Sequence, residues 1–179
     1  AEAPETQIFV TFQWEELNNL IPAVAGERQP YAINWEQVEI FEPRLDLWVI
    51  SSYPFVAFAS GADIPADYYS PLLERTKKPL AVAEGGMPSE VREHIQGSPQ
   101  NQVAYLNAIQ GQMGERLAFW IYLLLNDFNL DSYAKMMRLQ GHGGDVETLG
   151  WFATVGLRSA SGEAKPGLEV WDGFRGTGG

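Results

Sequence analysis

The sequence predicts an α/β fold in which parallel strands alternate with helices. Apolar runs rich in β-branched and aromatic residues, at 7–14, 45–53, 79–83 and 116–126, read as four strands. Helical patterns at 65–75, 99–114 and 165–175 follow the last three of them. The second run, L-D-L-W-V-I-S-S-Y, is almost continuously apolar, as strands buried on both faces are. Alternation of this kind predicts a parallel sheet with helices packed outside it.

Taken in order, residues 1–6 are a polar, loose lead-in and Q-I-F-V-T-F-Q-W is the first strand. Two prolines and a glycine predict loop over 17–40, with a short helix near 35–41. Pro54 ends the second strand, and an aromatic, glycine-containing loop follows over 55–67. In the helix at 65–75, Pro65 suits the first turn and Tyr68, Tyr69, Leu72 and Leu73 face inward. The third strand runs into Glu84. In the helix at 99–114, Val103, Leu106, Ala108, Ile109 and Met113 recur at helical spacing. Beyond the fourth strand, 127–150 is a long insertion containing G-H-G-G, 159–162 is a turn, and Gly176 to Gly179 are a frayed end. No linker-like composition divides the chain, so 1–179 are expected to be one unit.

Composition narrows the function. The 179 residues are 45% hydrophobic, ample for one core. The longest apolar run, 117–125, is about half of what a membrane span requires. A net charge of -11 argues against nucleic acid and anionic membrane surfaces as partners, since both demand basic patches. Without cysteine there are no disulfides, thiolate metal sites or cysteine nucleophiles. His94 and His142 lie too far apart in sequence to suggest a metal site, and no cofactor is expected. No G-x-S-x-G elbow, P-loop or G-x-G-x-x-G follows a strand.

The chemistry points to K-P-L-A-V-A-E-G-G-M-P-S, residues 78–89. There a buried-looking strand delivers one carboxylate, Glu84, to a backbone-permissive turn. In α/β folds that place faces the site, because sites sit at the carboxyl ends of the strands. The alternative is a glutamate salt-bridged at a strand end. Tyr53, ending the second strand, has a hydroxyl suited to hold a neighbouring carboxylate in place and keep it ionised, or else a tip in water. Trp120 offers a platform for a sugar ring and Asn126 or Asp127 bonds to its hydroxyls; equally, these are a core tryptophan and helix caps. Of Gln13, Trp14, Glu15 and Glu16, one is expected to line the same cleft, with Gln13 a candidate for binding substrate. The leading expectation for this cluster is instead a solvent-exposed glutamate capping the next turn.

These stretches resemble, in order, the carboxyl half of retaining glycoside hydrolases with (β/α)8 barrels, most nearly the galactanase-like and glucanase-like members. Residues 78–89 resemble the strand-seven motif K-P-x-x-x-x-E-x-G-W-P-S, with Met87 where tryptophan is usual. L-W-V-I-S-S-Y-P resembles strand six, Q-N-Q-V-A-Y-L-N-A helix seven, and A-F-W-I-Y-L-L-L-N-D strand eight. G-L-R-S-A-S-G-E-A-K-P-G-L-E-V-W resembles the closing segment. The resemblance implies strands five to eight of a barrel, Glu84 as nucleophile, Tyr53 as its contact and a carbohydrate substrate. It also favours an extracellular or periplasmic location. In that clan the acid/base glutamate follows an asparagine on strand four, and no Asn-Glu pair occurs in this sequence. The other half barrel is therefore expected from a companion chain, an upstream segment or a second copy.

Overall fold

The computed structural model describes residues 5–92, 95–142 and 146–174. The first four residues of the expected lead-in, His94, Gly143, Gly144, Arg175 and the closing glycines lie outside them.

Four parallel strands form one sheet in the order β1 (Thr11–Gln13), β2 (Trp48–Ser52), β3 (Leu80–Gly85), β4 (Leu117–Trp120). Three single-turn helices, α1 (Trp14–Leu17), α2 (Pro22–Ala25) and α3 (Glu36–Glu39), lie between β1 and β2. α4 (Ser70–Arg75) joins β2 to β3, and α5 (Pro99–Met113) joins β3 to β4. α6 (Leu130–Leu139), α7 (Val146–Gly150) and α8 (Pro166–Phe174) follow β4. The predicted alternation is present, and every residue of β2 is buried, as its apolar run requires.

The period-2 alternation of each strand sorts its side chains onto two faces. Phe12, Trp48, Ile50, Leu80 and Val82 meet Leu72 of α4 and Leu106, Ile109 and Met113 of α5 in the main core. Each such aliphatic side chain contributes about 1.5–3 kcal/mol by leaving water. Leu47, Val49 and Ala81 form a smaller cluster on the other face with Ala83 and Phe119. On that face Phe9, just before β1, meets Phe119 of β4 with ring centroids 5.7 Å apart. A flat sheet would hold the outer strands of four roughly 14 Å apart. The sheet must therefore curl about this face into a trough.

Several elements are shorter than expected. β1 is an edge strand and pairs over three residues rather than 7–14, because Ile8 and Phe9 stay exposed and Trp14 already opens α1. β4 leaves the regular ladder after Trp120, although Ile121 N–H still donates to Val82 O at 2.8 Å and Leu123 N–H to Gly85 O at 2.9 Å. α4 begins only at Ser70, after turns from Pro65 to Tyr68 and Asp67 to Ser70. The insertion after β4 carries α6, whose N-cap Asn129 accepts from Ser132 N–H at 3.0 Å. Among the described residues no helix is long and apolar enough to cross a membrane.

Candidate functional site

Because all four strands run the same way, their carboxyl ends share one rim: Gln13, Ser52 with Tyr53, Glu84 with Gly85, and the β4 exit. On that rim the β2–β3 register slips. Ile50 pairs Val82 but Ser51 pairs Glu84, so Ala83 is an extra residue. A bulge of this kind re-aims the side chain beside it. Leu80, Ala81, Val82 and Gly85 are buried and Ala83 half-buried, leaving Glu84 as the only exposed residue of β3.

The Tyr53 hydroxyl donates to Glu84 Oε1. Its ring is buried, edge-on to Phe55 at 5.9 Å and to Phe152 at 5.0 Å. Burial, then the hydrogen bond and charge of Glu84 and the charge of Glu15, push the phenol far above its ordinary range, so it stays protonated and donates. Gly85 leaves room for the groups packed behind the pair. A Cβ there would overlap the Tyr105 hydroxyl and stand 2.6 Å from Ser52 O, the two groups that bond behind it at 3.3 Å.

Glu15 sits behind Tyr53 with none of its surface exposed. Its Oε1 accepts from Ser52 Oγ at 2.8 Å and from the Tyr68 hydroxyl at 3.2 Å. Its Oε2 accepts from Tyr53 N–H at 2.9 Å and from Gln13 Nε2 at 2.7 Å. Burial raises its carboxyl above the ordinary range, and the donors offset part of that. The expected exposed, capping glutamate is thus not found. Glu15 is enclosed and Glu16 half-buried, and the cap of α1 is Gln13, whose Oε1 accepts from Glu16 N–H.

In front of Glu84 lies a cleft of about 490 Å3, walled by Leu123, Leu124, Asn126, Phe128, Tyr133, Leu149 and Phe152. Asn126 is exposed there, while its backbone bridges to Arg158. Asp127 is held in an ion pair instead, with Lys165 Nζ 2.6 Å from both its carboxylate oxygens. Trp120 faces the helix layer, 4.8 Å from Trp171 and stacked on Phe174 at 5.8 Å. Gln13 has both ends of its amide engaged within its own turn. Neither Trp120, Asp127 nor Gln13 is among the cleft-lining residues. Met87 is fully buried. His142 N–H closes the end of α6 on Met137 O at 2.9 Å.

Phe152, Tyr133 and Phe128 were not singled out by the sequence. Phe128 lies in a loop and Phe152 in a turn, where no strand or helix periodicity says which way an aromatic faces. Tyr133 falls in α6, a helix inside what the sequence presents only as a long insertion. Among the described residues no group of three or more histidines and carboxylates could hold a metal ion.

No family model and no curated protein matches the chain. Solved structures do match in fold. A β-glucuronidase from Faecalibacterium prausnitzii superposes with a TM-score of 0.58 at 12% identity, over 80% of this chain and 24% of its own. The Ruminococcus gnavus β-glucuronidase, bound to a C6-substituted uronic isofagomine, gives 0.52 at 13% identity, over 92% and 25%. The Bifidobacterium dentium β-glucuronidase, in complex with coumarin-3-O-glucuronide, gives 0.52 at 16% identity, over 79% and 22%. The chain thus spans about a quarter of the length of these structures. Its fold, a four-stranded parallel sheet alternating with helices, matches part of TIM-barrel glycoside hydrolases.

Proposed function

We propose that this chain is the nucleophile-bearing half of a retaining glycoside hydrolase acting on β-glycosidic bonds, with β1 to β4 as barrel strands five to eight. The observation that carries the reading is the Tyr53–Glu84 pair: an exposed carboxylate at a parallel strand's carboxyl end, held through one oxygen by a buried, protonated phenol. Held in this way, Glu84 Oε2 attacks the anomeric carbon. The bond to the leaving oxygen breaks as the glycosyl ester forms, and water then cleaves that ester. Asn126 and Phe152 line the cleft beside Glu84, which supports a reading in which Asn126 bonds a sugar hydroxyl and Phe152 lies against the apolar side of a ring.

A retaining site needs a second carboxyl, about 5–5.5 Å from the first, to protonate the leaving oxygen. Glu84 is the only carboxylate among the described residues that line the cleft, and Glu15 is sealed behind Tyr53. The second carboxyl belongs to the other half barrel, from an upstream segment, a companion chain or a second copy. That half would also cover the outer edges of β1 and β4, each paired on one side only.

The test is hydrolysis of nitrophenyl β-glucoside, β-galactoside and β-glucuronide by the full encoded polypeptide, with and without Glu84→Gln. Nitrophenolate leaves readily without an acid, so the first step reports on the nucleophile itself. Loss of turnover in Glu84→Gln is expected; unchanged turnover would sink the reading. The missing second carboxyl favours one other reading, a carbohydrate-binding subunit without catalysis. Sugar binding with no turnover by the full polypeptide would support that instead.

A further inference from the structure

We infer that Glu15 is a positioning residue: it clamps the end of β2 and so sets where the Tyr53 phenol meets Glu84. The kinetic arm of the test rests on the glycosidase reading above, whereas the spectroscopic arm does not.

Glu15 is unlike the other acidic groups among the described residues. It is completely enclosed, and no lysine, arginine or histidine among the described residues pairs with it. The groups bonded to it are the Tyr53 amide N–H, the Ser52 and Tyr68 hydroxyls and the Gln13 amide, and its charge also reaches the hydroxyls of Tyr53, Tyr69 and Tyr105. A side chain that merely filled this space would be more favourable as a hydrocarbon, because a buried carboxylate without a cation carries a desolvation penalty. What a carboxylate does here, and leucine cannot, is accept four hydrogen bonds at once from separate parts of the fold. Gln13 belongs to β1, Ser52 to β2, Tyr53 to its exit and Tyr68 to the approach to α4.

The result is a chain of contacts with little freedom. Glu15 Oε2 holds Tyr53 N–H at 2.9 Å, and the Tyr53 hydroxyl holds Glu84. The residue before is fixed from three sides. Ser52 Oγ donates to Glu15, lies 2.9 Å from the Tyr69 hydroxyl, and its carbonyl accepts from Tyr105. The turn at 54–56 begins immediately afterwards, so Tyr53 marks where the backbone leaves the sheet. Without Glu15, nothing on the β1 side would hold the Tyr53 amide. The rim would then be free to shift by the few tenths of an ångström that decide whether a phenol reaches its carboxylate.

Glu15→Gln tests this, because glutamine keeps the volume but presents an amide nitrogen where one acceptor stood. The spectroscopic arm follows the Tyr53 hydroxyl proton by NMR in the full encoded polypeptide, identified by its disappearance in Tyr53→Phe and its shift in Glu84→Gln. In Glu15→Gln the signal should move upfield or broaden into exchange. Tyr68→Phe removes only the donor at 3.2 Å, keeps the ring, and should move it less in the same direction; that variant stands in if Glu15→Gln does not fold. The kinetic arm uses whichever nitrophenyl β-glycoside is hydrolysed. There kcat should fall by about 10- to 100-fold in Glu15→Gln with KM little changed, and the fall should largely vanish in a Tyr53→Phe background.

A wild-type chain without the hydroxyl signal, or one whose signal is unchanged in both Glu15→Gln and Tyr68→Phe, overturns the inference. So does a kinetic loss that simply adds to that of Tyr53→Phe. If no substrate is hydrolysed, or Glu84→Gln leaves hydrolysis intact, the glycosidase reading fails while the NMR result still decides the role of Glu15.

Discussion

Tyr53 donates its phenolic hydrogen to Glu84 across the β2–β3 boundary, at the point where the register of the two strands slips by one residue. The slip and the bond belong together, since the extra residue, Ala83, lets Glu84 turn toward the rim. Tyr53→Phe removes the bond and little else, because the ring remains packed against Phe55 and Phe152. A hydrogen bond to a charged group contributes about 1.5–3 kcal/mol. Hydrolysis of a nitrophenyl β-glycoside by the full polypeptide should therefore fall roughly 10- to 100-fold. Undiminished turnover in Tyr53→Phe would show that the pair is architectural.

Phe152 is the aromatic that touches both parts of the site. It packs on Tyr53 from one side and lines the cleft before Glu84 on the other. Phe152→Leu keeps most of the apolar volume and loses the aromatic face. An aromatic contact adds about 0.5–1.5 kcal/mol beyond area burial. KM for a β-glycoside should rise about 2- to 10-fold with a smaller change in kcat. A change confined to kcat would mean that Phe152 acts by holding Tyr53.

The alternation of strand and helix was legible in the sequence because it depends on residue class and period. L-W-V-I is apolar, with two β-branched residues, and all of β2 is buried, so propensity and tertiary packing agree. Glu84 was legible for a related reason, as one carboxylate ending such a run. What was not legible is direction. The run 121–125 is as apolar as the four residues of β4, yet Leu123 and Leu124 wall the cleft while Ile121 and Leu125 are exposed. Trp120 is one residue from Phe119, and that single step puts it on the helix side, where Trp171 covers it. Glu15 was hidden in another way. Three of its four donors are 37, 38 and 53 residues away, and no local pattern announces contacts at that distance.

The burial of Glu15 should be visible in the pH dependence of stability. Its carboxyl is raised above 4.5, mainly by burial, so the folded chain binds this proton more tightly than the unfolded chain does. Stability from this group is fully present below about pH 4.5 and is lost as pH rises through the higher folded value. Asp127, also raised by burial and only partly lowered by Lys165, adds a contribution of the same sign. Urea midpoints across the acidic-to-neutral range should therefore decline with pH in the wild type and decline less in Glu15→Gln. Parallel curves would show that Glu15 titrates alike folded and unfolded.

Lys165 joins three parts of the rim, and removing it should cost stability through Asp127. Its Nζ bonds Asp127, donates to Ser89 Oγ at 2.8 Å and reaches Thr154 O at 3.3 Å. The two charged side chains are only 12% and 8% exposed, which places the pair in the regime of buried ion pairs. Lys165→Met leaves the Asp127 carboxylate without its cation, and breaking such a pair from one side destabilises by about 3–5 kcal/mol. Replacing both partners removes the stranded charge as well as the attraction. Lys165→Met with Asp127→Leu should therefore recover much of the loss, even though a bond to Ser89 is still missing. Urea denaturation of the single and double variants checks this. If the double variant is as unstable as the sum of the two single ones, the cost lies in Ser89 and Thr154 rather than in an unpaired Asp127.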